Sequence, residues 1–246
     1  MQEHMPPNAE APIPTDRLAG SVGRPSALDD PRTLQILSTE HWSLLASRSL
    51  SYNEAFTRAG MFLTFLGASL VALGLISAAT GFTPRLALIA VVILATDLFI
   101  GLATLGRILD AGQEEMACVA GMNRIRHAYR EMVPGVEPYF VTPFHDDPAS
   151  VLSAYGGARP GIMGGLLHGV TTTPALVGVV DSIVAGALAT VVLLGVGASL
   201  ELGLAAGLVA FAAVFALGFR LGFVAAFRAQ AQRTPRFPAP PPGTPR

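Results

Sequence analysis

Apolar residues in this chain gather into four runs, and the polar residues between them keep helical spacing. Residues 86–105 read LALIAVVILATDLFIGLATL, a run interrupted by one acid, Asp97. At about 1.5 Å rise per residue it spans roughly 30 Å, the hydrocarbon thickness of a bilayer. Comparable runs occupy residues 59–80, 175–198 and 202–223. Four such runs predict an all-α integral membrane protein, its four transmembrane helices arranged as two hairpins with long cytoplasmic helical extensions.

The polar stretches are also patterned. Asp30-Pro31 predicts a helix start, an N-cap acid followed by proline at the first helical position. Leu34, Leu37, His41, Leu44, Leu45, Arg48, Tyr52 and Phe56 then recur at helical spacing, and no breaker separates them from the first apolar run. After Leu105 the pattern continues to about Met132. Ile108, Met116, Val119, Met122, Ile125 and Tyr129 form an apolar side, and Arg124, Arg126 and Arg130 a basic one. Pro134, Pro138, Pro143 and Pro148 break the helix, and Asp147-Pro148 caps a short one ending near Tyr155.

The resulting division is a disordered tail (1–30), an amphipathic helix (31–58), a first transmembrane hairpin (59–105), and a helix with a Pro/Gly-rich connector (106–174). A second hairpin (175–227) and a Pro-rich, extended C-terminal tail (228–246) complete it. The N-terminal stretch MQEHMPPNAEAPIPTD lacks a basic region followed by an apolar core, so the first run is expected to be an uncleaved anchor.

Charge sets the orientation. All 16 basic residues are arginine, and only Arg85 falls in a short turn between paired runs. The other arginines flank the spans on the side of the termini and the long middle segment, which predicts a plasma-membrane protein with both termini cytoplasmic. With 13% charged residues and a net charge of −1, the composition gives no support to nucleic-acid binding. Absence of lysine removes Schiff-base and P-loop chemistry, and the single Cys118 removes an intramolecular disulfide or multi-cysteine metal site. No HExxH, P-loop, dinucleotide fingerprint or nucleophile elbow is present, and no cofactor is implied.

Two acids sit where charge is costly. Asp97 shares a helix side with Ala90, Leu94, Gly101 and Thr104. Asp181 lies about six residues into the third run, so both are expected roughly 9–12 Å inside the same face, Asp181 being shallow enough for partial hydration. A shared proton, a bound cation, or hydrogen bonds from Thr96, Ser182 or Thr64 would each resolve the cost. Two readings stay open at this point: a proton or cation site, and two protonated acids bonded to neighbouring helices.

Small residues mark helix contacts. Gly178, Ser182, Gly186 and Thr190 recur every four residues in the third run, and Gly203, Gly207, Gly218 and Gly222 line the fourth. Phe211, Phe215, Phe219, Phe223 and Phe227 form a stripe suited to lipid or helix packing. In the polar part, Arg124, Arg126 and Arg130 form a surface for anionic head groups or an acidic partner, or else a solvated face with local pairs. Glu114 and Glu115 read as solvent-facing charge, and Asp146-Asp147 as a turn and helix cap. Glu40, His41, His127 and His145 are the remaining metal-capable groups.

The layout resembles small bacterial four-span membrane proteins of uncharacterised function. Over about residues 31–132, the helix–hairpin–helix arrangement also resembles the SLATT membrane effector class, whose members are proposed pore-formers. The expected function is a non-enzymatic membrane protein whose cytoplasmic helices dock a protein partner or form a homo-oligomer in the lipid bilayer. The alternative is a proton- or cation-conducting oligomer or small transporter using Asp97 with Asp181, and a membrane enzyme with a cytoplasmic His/Asp site comes third.

Overall fold

The computed structural model describes residues 27–154, 172–231 and 233–240. The expected N-terminal tail up to residue 26, the glycine-rich segment 156–169 and the last six residues lie outside them. The described residues form five α-helices and two short 3-10 turns, without a strand: α1 (Thr33–Thr80), α2 (Pro84–Met132), α3 (Pro148–Ala154), α4 (Thr173–Gly195) and α5 (Leu200–Ala231). Four of them, α1, α2, α4 and α5, are long and apolar enough to cross a membrane.

α1 starts two residues later than the Asp30-Pro31 pair predicts, and Asp30 does not cap it. The Asp30 carboxylate instead accepts hydrogen bonds from the backbone N–H and guanidinium of Arg32, while its carbonyl accepts from Thr33 N. The 48 residues of α1 span roughly 72 Å, so its polar N-terminal half projects well beyond its apolar half. A three-residue turn returns the chain. Gly81, with φ +66° and ψ −178°, takes a backbone conformation that a side chain would strain, and Thr83 accepts from Leu86 N to cap α2 with Pro84 at its first position. At the second turn, Gly197 has φ +85° and Ser199 Oγ accepts from Leu202 N. Glu201, expected in that turn, lies in the first turn of α5, and α5 continues to Ala231 beyond the fourth apolar run.

α2 is the hub. It packs along α1 on one side and α4 on another, and α4 in turn packs along α5. The core between them is made by Ala55, Ala59, Phe62 and Leu66 of α1, Leu94, Leu105, Ile108 and Ala111 of α2, and Val177 and Val184 of α4. A second, smaller core joins Val119, Ala120 and Met122 of α2 to Val151 of α3, with Leu44 packed against it.

The outside of the apolar halves is itself apolar. Leu70, Val71 and Leu75 on α1, Leu88, Val92 and Phe99 on α2, and Leu204, Leu208 and Val209 on α5 are all exposed. Apolar patches of this extent are rare on water-facing surfaces and are compatible with contact to hydrocarbon, which accepts them without cost.

Glycine decides how closely α4 and α5 approach. A Cβ on Gly186 would come 2.9 Å from Gly207 O, and a Cβ on Gly207 would overlap Thr190 Oγ1, so the two backbones touch. Gly203 also lies against α4, its carbonyl accepting from Thr190 Oγ1 at 3.1 Å, whereas a Cβ on Gly178 would make only an ordinary contact, 3.8 Å from Leu105. Phe211 and Phe215 of the aromatic stripe stack at 6.1 Å between centroids, and the side chains of Phe223 and Phe227 lie outside the described set.

Candidate functional site

Two places concentrate buried polar chemistry. The first is between the apolar halves of α1, α2 and α4. Ala90, Leu94, Asp97, Gly101 and Thr104 are all buried, so the side of α2 picked out by helical spacing is the one turned into the bundle. Asp97 and Asp181 are both fully buried, at 0% exposure. Asp181 is therefore not partly hydrated as its depth in the sequence suggested, because Phe62 and α2 close over it. Its carboxylate rests directly on Gly101, where a Cβ would overlap Asp181 Oδ1 and come 2.8 Å from Phe62 Cζ. Gly101 is one helical turn from Asp97, about 6 Å along the axis, so the two acids lie at neighbouring levels of one interface.

Their hydrogen bonding differs from the sequence expectation. Thr96, Ser182 and Thr64 each donate to a carbonyl of their own helix, Val92 O, Gly178 O and Gly60 O respectively. In apolar surroundings the carbonyl four residues back is the nearest acceptor for such hydroxyls. The donor the sequence reading missed is Ser69 of α1, whose Oγ lies 3.1 Å from Asp97 Oδ1. It was hidden because nothing in α1 alone says which of its serines faces α2. Asp97 Oδ2 and both Asp181 oxygens have no hydrogen-bond partner among the described residues.

The second place is the polar half of α2 and what it binds. Arg124, Arg126 and Arg130 do not form a free basic face. Arg124 Nε pairs with Asp146 Oδ2 at 2.6 Å, Arg126 donates to Asn123 Oδ1 at 2.8 Å, and Arg130 pairs with Glu137 and lies over the Phe144 ring at 4.8 Å. Arg124 and Arg130 attach the proline-rich connector to α2, while the Arg126 contact stays within the helix. Glu114 and Glu115 are likewise engaged: Arg48 of α1 pairs with Glu115 at 2.8 Å, and Arg107 bridges Glu114 and Glu54. Hydrogen bonds from Arg107, then Arg58, hold the Glu54 carboxyl below its usual range.

Asp147 does cap α3, accepting from Ser150 Oγ at 2.9 Å, but Asp146 has another task. It is buried, and accepts the backbone N–H groups of Arg236 and Phe237 at 2.9 and 2.8 Å as well as Arg124. Burial alone would raise its pKa, and those three donors outweigh it, so the carboxyl is held below the ordinary range. Phe237 closes the clasp: its ring stacks on His127 at 4.2 Å, and its carbonyl accepts from Asp146 N. Fully buried Asn123 donates to His145 O at 2.8 Å and locks the connector from below. The Pro-rich tail is thus a docked strap over residues 233–240, with Arg233 donating to Gln113 O at 3.0 Å. Neither Asn123 nor the strap carried a sequence signal, since the strap's partner lies some ninety residues away.

His41 stacks with Tyr129 at 6.4 Å, and burial, then the Arg126 charge, holds its pKa below the usual imidazole value. Among the described residues no three His, Cys, Asp or Glu side chains meet as a metal-holding group.

The class these observations define is an all-helical protein with four helices fit to span a membrane and a polar layer folded onto two of them. The chain matches no protein-family model, no curated protein and no solved structure.

Proposed function

We propose that this is a non-enzymatic integral membrane protein of the plasma membrane, with two membrane hairpins and cytoplasmic termini, that works by self-association along the outer face of α1. The observation that carries the reading is an unpartnered stripe on that face. Trp42, Leu45, Ser49, Tyr52, Phe56, Gly60, Leu63, Gly67, Leu70 and Gly74 follow each other at three- and four-residue steps, and all are exposed. Trp42 and Phe56 are 68% and 63% exposed in the polar half, where solvent rather than lipid would meet them. A Cβ at Gly60, Gly67 or Gly74 would meet nothing within 4 Å, so no described helix of the same chain uses these glycines.

The stripe carries no charge, and its repeat is that of a coiled-coil seam with one extra four-residue step between Phe56 and Gly60. Copies inserted in one bilayer share an orientation, so identical stripes meet parallel and in register about a two-fold axis. Four large side chains, each burying on the order of 100 Å² or more, would supply the contact outside the bilayer. Glycine packing would supply it inside.

Disulfide crosslinking of the full chain in native membranes tests this, in a Cys118→Ser background with single cysteines at Leu45, Tyr52 or, off the stripe, Thr57. Dimer bands from the first two and not the third are expected. Equal yields from all three, or none, would reject it. An adduct of another mass would assign the face to a different protein.

A further inference from the structure

Beyond self-association, we infer that Asp97 and Asp181 form a reversible proton-binding site inside the helix bundle. The two carboxyls are fully buried at neighbouring turns of one interface, and three of their four oxygens have no partner among the described residues. Ser69 supplies the single donor, to Asp97 Oδ1. An isolated carboxylate charge in such surroundings is strongly disfavoured, and a pair without a counter-ion is worse. A positive charge must therefore accompany the pair.

Among the described residues, the surrounding elements supply none. From α1, the groups at this level are Ser69 and Phe62, and neither titrates; Glu54 and Arg58, further along, bond each other. On α2, Arg107 is committed to Glu54 and Glu114, and Arg85 stands at the far end of the helix. Asp181 is the only ionisable side chain on α4, and on α5 the described charged side chains Glu201, Arg220 and Arg228 are exposed. A metal cation would need several oxygen ligands and the volume to hold them. The notch over Gly101 is filled by the Asp181 carboxylate itself. A proton needs neither. The Gly101 notch is what permits the arrangement, since any side chain there would push Asp181 away from α2.

Infrared titration of the full chain in phosphatidylcholine vesicles tests the proposal by following the carbonyl stretch of protonated carboxyl groups between about pH 5 and about pH 9. A band that disappears reversibly with rising pH is expected. Its midpoint should be displaced by about one pH unit, a tenfold change in proton affinity, in Asp97→Asn and in Asp181→Asn, and the band should be missing when both are asparagine. Ser69→Ala, which leaves both acids in place, should displace the midpoint by removing the donor to Asp97. A band constant across the range would mean permanently neutral acids and overturn the proposal. So would a band surviving in the double asparagine variant, a midpoint unchanged in both single variants, a midpoint indifferent to Ser69→Ala, or loss of the band on adding sodium or potassium chloride at fixed pH.

Discussion

Asp146→Asn should release the C-terminal strap while leaving the helices in place. The aspartate accepts three hydrogen bonds, from Arg124 Nε at 2.6 Å, Arg236 N at 2.9 Å and Phe237 N at 2.8 Å. Hydrogen bonds to a charged group contribute about 1.5–3 kcal/mol each, and breaking a buried pair costs about 3–5 kcal/mol. Asparagine keeps one acceptor oxygen of similar shape but turns an N–H₂ toward donors and removes the charge that Arg124 pairs with. A loss of about 3 kcal/mol corresponds to roughly 150-fold faster exchange of any strap amide whose protection depends on docking. Hydrogen–deuterium exchange of peptides covering residues 233–240, with peptides from the apolar half of α2 as internal reference, reads this directly. Exchange within twofold of the parent would refute the reasoning, as would equal acceleration in the α2 peptides, which would make Asp146 a support of the whole fold. The pH dependence carries its own sign. The folded-state pKa of Asp146 is depressed, so the clasp contributes fully above the ordinary carboxylate value near about 3.9 and is lost as pH falls through the lower folded value. The Asp146 contribution to strap protection, read as the difference from Asp146→Asn and corrected for intrinsic exchange, should stay flat from neutrality to about pH 4 and fall below it.

Gly101→Ala adds a methyl group where Asp181 Oδ1 already lies, and should destabilise the α2–α4 contact by about 1–3 kcal/mol, read as a lower thermal midpoint in detergent. A midpoint equal to the parent's would mean that Asp181 moves aside freely. Arg107→Gln, by contrast, breaks pairs whose members are a third to a half exposed, and should change the thermal midpoint little, and less still at high salt. A large loss insensitive to salt would show that this cluster is far less screened than its exposure implies.

Helix existence and length were legible from periodicity and composition, because a helix satisfies its own backbone hydrogen bonds and needs only local information. The buried side of α2, Ala90 through Thr104, was legible for the same reason: a 3.6-residue repeat projects from sequence to face. The presence of two costly acids was also plain, since an acid within an apolar run is visible without a partner. Which groups meet across helices was not. Ser69 rather than Thr96, Ser182 or Thr64 serves Asp97, and Gly186 with Gly207 rather than Gly178 makes the closest approach, because helix rotation and register follow from packing. The basic face of α2 was real as a pattern, yet its arginines are spent on Asn123, Glu137 and Asp146 rather than on solvent or lipid. The Asp97–Gly101–Asp181 arrangement belongs to both levels. Sequence placed two acids at similar depth, but only tertiary structure could set Asp181 on Gly101, bury it and leave its oxygens unpaired, since those properties depend on a second helix whose approach no local pattern encodes.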